Sequence, residues 1–233
     1  MKFSACGMRP FLRQRFAGDC EGKQAMAVTY EQLLNWLRLI DEGLIEQRGY
    51  LTELDSAIGD GDHGTNLARG AAAASSRVDS EQPEYVDDLF RLVGMTLVSS
   101  VGGASGPLYG TFFLRFAASA GHVQELTADE FGDALEAGLG GIIERGQPEL
   151  GDKTMYDAIE PAVRAFRHDL DQNGVAVAAR RASDAAAHGR DATADFVARK
   201  GRASYLGERS LGHVDPGAAS VALMFGALAE ALA

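Results

Sequence analysis

With 233 residues, 46% of them hydrophobic, the chain is long enough to bury a good core, and no linker-like stretch divides its centre. A net charge of −11 and a pI near 4.9 exclude a general nucleic-acid or anionic-membrane surface, because phosphates would be repelled over most of the exterior. There is no apolar run of about 18 residues to span a bilayer and no continuous apolar export segment at the start, so a cytoplasmic protein with one main domain is expected.

The opening stretch differs from the rest of the chain. Residues 1–25 are basic and lack helical periodicity, and they read as a disordered N-terminal extension ahead of a domain over 26–233. Cys6 and Cys20 both fall in that extension, which excludes a disulfide framework for the body.

From Thr29, a candidate N-cap, apolar residues at Leu33, Leu34, Leu37, Ile40, Leu44 and Ile45 have the spacing of one buried helical stripe, running to about Gly49. A short helical piece over Tyr50–Ile58 then delivers Asp55 to the turn Gly59-Asp60-Gly61-Asp62-His63-Gly64, and an alanine-rich helix resumes over Thr65–Arg77. Three hard oxygen ligands within eight residues, with glycines to bend the backbone around them, point to a Mg²⁺ site of a few carboxylates completed by water and phosphate.

Two familiar patterns in this stretch are excluded. It spells G-x-G-x-x-G, but two aspartates would repel a bare pyrophosphate and no strand precedes it. An EF-hand needs ligands at every second position and a Glu closing the ring, whereas Asp55 sits five residues before Asp60 and no such Glu follows.

The next helix starts at Pro83, carries Leu89, Phe90, Val93 and Leu97 inward, and runs into Ser99–Pro107. There Gly102, Gly103 and Gly106 permit close backbone approach, Pro107 suits the first position of a helix bearing Phe112, Phe113 and Phe116, and Ser105 lies beside exposed N–H groups. Phosphate binding is the favoured reading and a plain helix–helix turn the other. Thr127-Ala-Asp-Glu130 has capping-box spacing and opens a helix ending at Gly146. Gly146 to Thr154 imitates a P-loop, but Asp152 separates the second glycine from Lys153. Helices over Met155–His168 and 175–199, with a break near Gly189, precede a last helix capped by Asp215 with Pro216 at its first position. No strand is expected anywhere. The glycine turns at 59–64, 102–106 and 212–217 could gather at one end of an all-α bundle or barrel.

Taken together, Asp55…Gly59-Asp60-Gly61-Asp62-His63-Gly64-Thr65-Asn66, Gly102 through Thr111, Gly151-Asp152-Lys153-Thr154-Met155, Gly201 through Ser210 and Asp215-Pro216-Gly217-Ala218 closely resemble the nucleotide-binding L subunit (DhaL) of dihydroxyacetone kinase, over about residues 27–233. The resemblance implies an eight-helix antiparallel barrel with an adenine nucleotide, ADP or ATP, and two Mg²⁺ ions at one end. It implies Asp55, Asp60 and Asp62 as metal ligands. His63, Gly64, Thr65 and Asn66 would line the nucleotide, Ala104 and Ser105 would meet the phosphates, and Gly146 and Met155 would flank the base. Arg202 with Asp215, Pro216 and Gly217 would complete the pocket. Arg202 is also the expected phosphate cation, because a guanidinium can bind two oxygens at once. Lys153, read as pairing with Asp157 at a helix start, and His122, His168 and His188 are taken as structural.

In that family the ketone is held by a separate K subunit, so this chain would be one half of a phosphotransferase. ADP would be a bound coenzyme recharged by a phosphohistidine carrier, the M subunit. The alternatives are an ATP-dependent split kinase acting on dihydroxyacetone or another small ketose such as erythrulose, and a nucleotide-binding regulatory module. A homodimer is left open.

Overall fold

The computed structural model describes residues 27–233. The expectations for residues 1–25, Cys6 and Cys20 included, lie outside them. Eight α-helices run in order: α1 Tyr30–Glu46, α2 Arg48–Ile58, α3 His63–Glu81, α4 Val86–Ser100, α5 Ser105–Ala120, α6 Ala128–Gly146, α7 Tyr156–Ala192 and α8 Pro216–Ala231. Two 3-10 segments, Thr193–Asp195 and Arg202–Ser210, connect α7 to α8. The all-α expectation holds.

The helices form a closed ring. From α3 to α8 each packs on the next in sequence, α8 returns to α1, and α1 touches α3. Its interior is aromatic: Trp36, Phe90, Phe116, Phe131 and Phe166 are fully buried, with neighbouring rings 4.3–6.2 Å apart. The one polar atom of Trp36 is satisfied, its Nε1–H donating to the Met224 carbonyl at 2.9 Å and tying α1 to α8.

Helix α7 is a hairpin. Its 37 residues would reach roughly 55 Å if straight. Instead Gly174 adopts φ 75° and ψ 171°, and the second arm folds back until Gly189 lies against Asp157, where a Cβ would meet the Asp157 carbonyl oxygen at 2.1 Å. The expected break at Gly189 is therefore corrected. The chain turns at Gly174, and Gly189 sits in a continuous helix because only a residue without a side chain allows that contact.

A second correction concerns strands. Ala27–Thr29 (β1) pairs antiparallel with Glu125–Thr127 (β2), Val28 opposite Leu126, and both of these residues are fully buried. Three residues are too few for alternation to show in a sequence. Each strand ends in the threonine that caps the following helix: Thr29 and Thr127 both form complete capping boxes, with Gln32 and Glu130 respectively. This ladder closes one end of the barrel. The connections after α2, α4, α6 and α7 gather at the other. No helix among the described residues is long and apolar enough to cross a membrane.

Candidate nucleotide and metal site

The open end of the barrel holds a cleft of about 330 Å³ in which the loops after α2, α4, α6 and α7 meet. Asp55, at the last turn of α2, is buried, and its Oδ2 accepts the backbone N–H groups of Asp62 at 2.8 Å and His63 at 3.1 Å. Asp55 therefore caps α3 from across the turn, although Asp62 is the N-cap by position. Asp62 makes no capping bond of its own, so its carboxylate stays free. Gly61, at φ +74°, makes the reversal that brings these groups together.

Carboxylate oxygens of Asp55, Asp60 and Asp62 lie within 4.8 Å of one another. Three negative charges this close repel, and a hard divalent cation is the partner that such all-oxygen donors suit. A second carboxylate cluster, Asp87, Asp88 and His122, lies near the closed end, where Arg91 already contacts both aspartates and His122 stacks on Tyr85.

His63 begins α3 with both ring nitrogens occupied, Nδ1 by Ser105 Oγ at 3.2 Å and Nε2 by Ser220 Oγ at 3.0 Å. Ser220 Oγ also lies 2.9 Å from the Gly217 carbonyl and 2.7 Å from the Tyr109 hydroxyl, which ties α3, α5 and α8 together at this ring. Burial holds the His63 imidazole below its ordinary pKa, with Asp55 and Asp62 opposing, and keeps it neutral. The same burial pushes the Tyr109 hydroxyl well up.

The second wall is Gly102 to Ser105 with Asn66. A Cβ on Gly102 would approach the Asn66 amide nitrogen at 3.2 Å, while Arg69 fixes the other end of that amide by donating to Asn66 Oδ1 at 2.8 Å. Helix α5 starts at Ser105, so Pro107 is its third residue and not its first. His63, Ser105, Tyr156 and Pro216, which begin four helices, all face this cleft. Each turns the positive end of a helix dipole toward it.

Leu108, Ile142, Gly146, Pro148 and Met155 make the apolar wall opposite. Over them passes the strap 193–217, on which Arg202 Nη2 pairs with Asp60 Oδ2 at 2.9 Å. Asp215 caps α8 by accepting the Ala218 N–H at 2.7 Å, and burial pushes its carboxyl up to about 7.

Most of the expected site residues meet on this cleft. The exceptions are Gly64 and Thr65. One helical turn carries Gly64 against α2, where a Cβ would meet the Arg48 carbonyl at 2.2 Å, and leaves Thr65 exposed; neither is on the cleft wall. Lys153 does not pair with Asp157. Asp157 instead accepts the Gly151 and Thr154 N–H groups, and the buried Lys153 ammonium donates to backbone carbonyls of the strap. Burial lowers its pKa, with Asp215, Asp195 and Asp157 opposing. Sequence reading also misses Lys200, whose Nζ donates to the Gly146 carbonyl at 2.9 Å beside the apolar wall. Nothing in its sequence neighbourhood marks it. His122 and His188 lie off the cleft, as does the exposed His168.

Comparison with known proteins agrees with this geometry. Residues 57–230 match the DAK2 domain family. The chain is 44% identical over 207 residues to the ADP-binding subunit DhaL of the PEP-dependent dihydroxyacetone kinase of Escherichia coli (strain K12), covering 88% of this chain and 99% of that one. The chain belongs to the DhaL family.

Another DhaL relative, the ADP-binding subunit of the PTS-dependent dihydroxyacetone kinase of Lactococcus lactis, is 41% identical over 206 residues, 88% of this chain and 100% of that one. Among solved structures, the dihydroxyacetone kinase of C. freundii in complex with AMP-PNP and Mg²⁺ aligns at TM-score 0.68 and 27% identity over 97% of this chain. The DhaL-type chain spans 38% of that longer protein.

Proposed function

We propose that this chain is the nucleotide-binding subunit of a dihydroxyacetone kinase, in which Asp55, Asp60 and Asp62 hold Mg²⁺ against the phosphates of ADP or ATP. The observation that carries this is the meeting of the three carboxylates, within 4.8 Å of one another, with the starts of α3, α5 and α8 on one cleft. Carboxylates alone would repel a nucleotide and helix starts alone would take any anion. Together they suit a metal-bound polyphosphate.

In this reading the base lies on the apolar wall between Gly146 and Met155, while His63 and Asn66 order the phosphate end. Ser105 Oγ is engaged by His63 Nδ1 at 3.2 Å, so its backbone N–H, at the start of α5, is the group left for a phosphate. Arg202, held by Asp60, stays beside the phosphates and provides the side-chain cation there. Mg²⁺, when bound, neutralises charge between carboxylates and phosphates, two ions being the full complement. Phosphoryl transfer needs positioning and charge stabilisation more than covalent chemistry from the protein, and these residues supply both.

The acceptor ketone would be presented by a K subunit. The names of the E. coli and L. lactis relatives, PEP-dependent and PTS-dependent, favour ADP as a resident coenzyme recharged by a phosphohistidine carrier, the M subunit. The AMP-PNP complex of the C. freundii kinase, 27% identical, is the observation behind the second and less supported reading, ATP as an ordinary substrate. Reconstitution with a K subunit separates them. Phosphorylation of dihydroxyacetone that requires the phosphocarrier and is not driven by ATP alone supports the first; equal rates with ATP alone support the second; no transfer in either case contradicts both.

A further inference from the structure

Lys153 carries a buried charge that the proposed chemistry does not use. Its side chain is 1% exposed, and Nζ donates to the carbonyls of Thr193, Phe196 and His213, all within 3.1 Å. Three acceptors require three N–H donors, so the amine is protonated. None of the three is a carboxylate. The backbone is also committed, since Lys153 adopts φ +62°, a region that a non-glycine residue keeps only when its surroundings enforce it.

Those carbonyls bracket the strap between α7 and α8. Thr193 and Phe196 stand at its start and His213 just before Asp215. Further bonds knot the strap around the same point: Gly212 N–H to the Ala194 carbonyl at 2.8 Å, Asp215 N–H to Thr193 Oγ1 at 2.9 Å, and Arg199 N–H to the Asp152 carbonyl at 3.0 Å. The apolar anchorage of the strap is small, Ala198 and Ala203 packing on Ile58 with Leu206 beside them. Its geometry is therefore set by polar contacts, three of which meet on one ammonium.

From this we infer that Lys153 is a positioning residue: its ammonium pegs the strap 193–217 so that Arg202 and the capped start of α8 face the cleft. The inference rests on the nucleotide reading of that cleft for its functional consequence, though not for the peg itself. Removing the charge takes the ammonium donor from the Phe196 and His213 carbonyls and leaves the Thr193 carbonyl with the Phe196 N–H alone, which favours opening of the strap over opening of the aromatic core.

The test uses the full chain, Lys153→Met, which keeps most of the stem, and Lys153→Ala. In nucleotide-free protein, hydrogen exchange of the amides over 193–217 should quicken by about tenfold or more in both variants while α4 and α5 keep their protection. Affinity for ADP–Mg²⁺ should fall by at least about tenfold. Propylammonium, which restores the missing stem and its three donors, should recover protection and affinity in Lys153→Ala, whereas tetramethylammonium, of equal charge without N–H groups, should not. Unchanged exchange in the strap overturns the peg. So does a loss spread evenly over the barrel, or a loss that propylammonium leaves uncorrected. If wild-type protein fails to bind ADP–Mg²⁺, the nucleotide reading fails separately, and the exchange result still decides the role of Lys153.

Discussion

The Asp55 carboxylate accepts the backbone N–H of His63 at 3.1 Å, across the turn that separates them. This one contact ties the end of α2 to the start of α3 and leaves the rest of the Asp55 carboxylate beside Asp60 and Asp62. Fold and site chemistry thus share a residue. Asp60 and Asp62 are exposed and carry no comparable structural duty.

That difference predicts two kinds of loss. Asp55→Ala should lower stability by about 1 kcal/mol through the lost cap, as well as abolishing Mg²⁺-dependent ADP binding. Asp60→Asn should abolish the same binding with stability unchanged to within about 0.5 kcal/mol. Denaturant unfolding with and without ADP–Mg²⁺ reads both effects. An Asp60→Asn protein stabilised by ADP–Mg²⁺ as strongly as wild type would remove Asp60 from the site.

The pH dependence carries two opposing contributions. The Asp215 carboxyl stands at about 7 in the folded chain against an ordinary 3.8, so between these values the folded state holds a proton that the unfolded state releases. Stability from this group is therefore full at low pH and is lost as pH rises toward 7. His63 acts the other way: its folded pKa lies below the ordinary 6.5, so its contribution is present above 6.5 and is lost as pH falls through and below that value. Asp215→Asn keeps an oxygen for the Ala218 N–H and removes the first slope. In nucleotide-free protein the variant should gain on wild type between pH 5 and about 8, by an amount that denaturant midpoints would measure. Parallel curves would contradict the buried, raised carboxyl.

The Arg202 side chain is 63% exposed and that of Asp60 34%, and their ion pair should add little to stability. Its replacement tests geometry more than charge. Arg202→Lys keeps the charge but loses the planar fork, so it should weaken ADP–Mg²⁺ binding by roughly fivefold or more, and Arg202→Ala further, with melting temperature nearly constant. Calorimetric titration checks the order. Wild-type affinity in Arg202→Ala would exclude contact with the nucleotide.

Packing at the α7 hairpin makes a matched pair of substitutions. Gly189→Ala puts a Cβ 2.1 Å from the Asp157 carbonyl and should cost about 1–3 kcal/mol. Gly140→Ala, inside α6 with nothing within 4 Å of the added atom, should gain roughly 0.5–1 kcal/mol from helix propensity. Thermal unfolding compares them directly, and equal effects would contradict the hairpin contact.

These contrasts also show what is legible in the sequence. Caps are readable at Thr29, Thr127 and Asp215 because a cap is chemistry between residues three apart. The metal-ligand candidates are readable because three carboxylates among glycines are a local pattern. The turn at Gly174 is not readable. In an alanine-rich stretch the apolar stripe blurs, and a glycine's letter does not tell a positive φ from a close contact. Nor are the roles of Gly64 and Thr65, which sit beside His63 in sequence yet turn away from the cleft with the helix. Lys153 is misread because its partners are carbonyls 40 to 60 residues away, which no local spacing encodes.

The most direct test of the cleft as a nucleotide site is native mass spectrometry of the full chain purified without added nucleotide, followed by denaturation and analysis of what is released. One ADP per chain, released together with Mg²⁺, is the predicted result, with loss of both from Asp60→Asn. A chain that emerges empty and then gains no mass on incubation with ADP or ATP and Mg²⁺ would contradict the assignment.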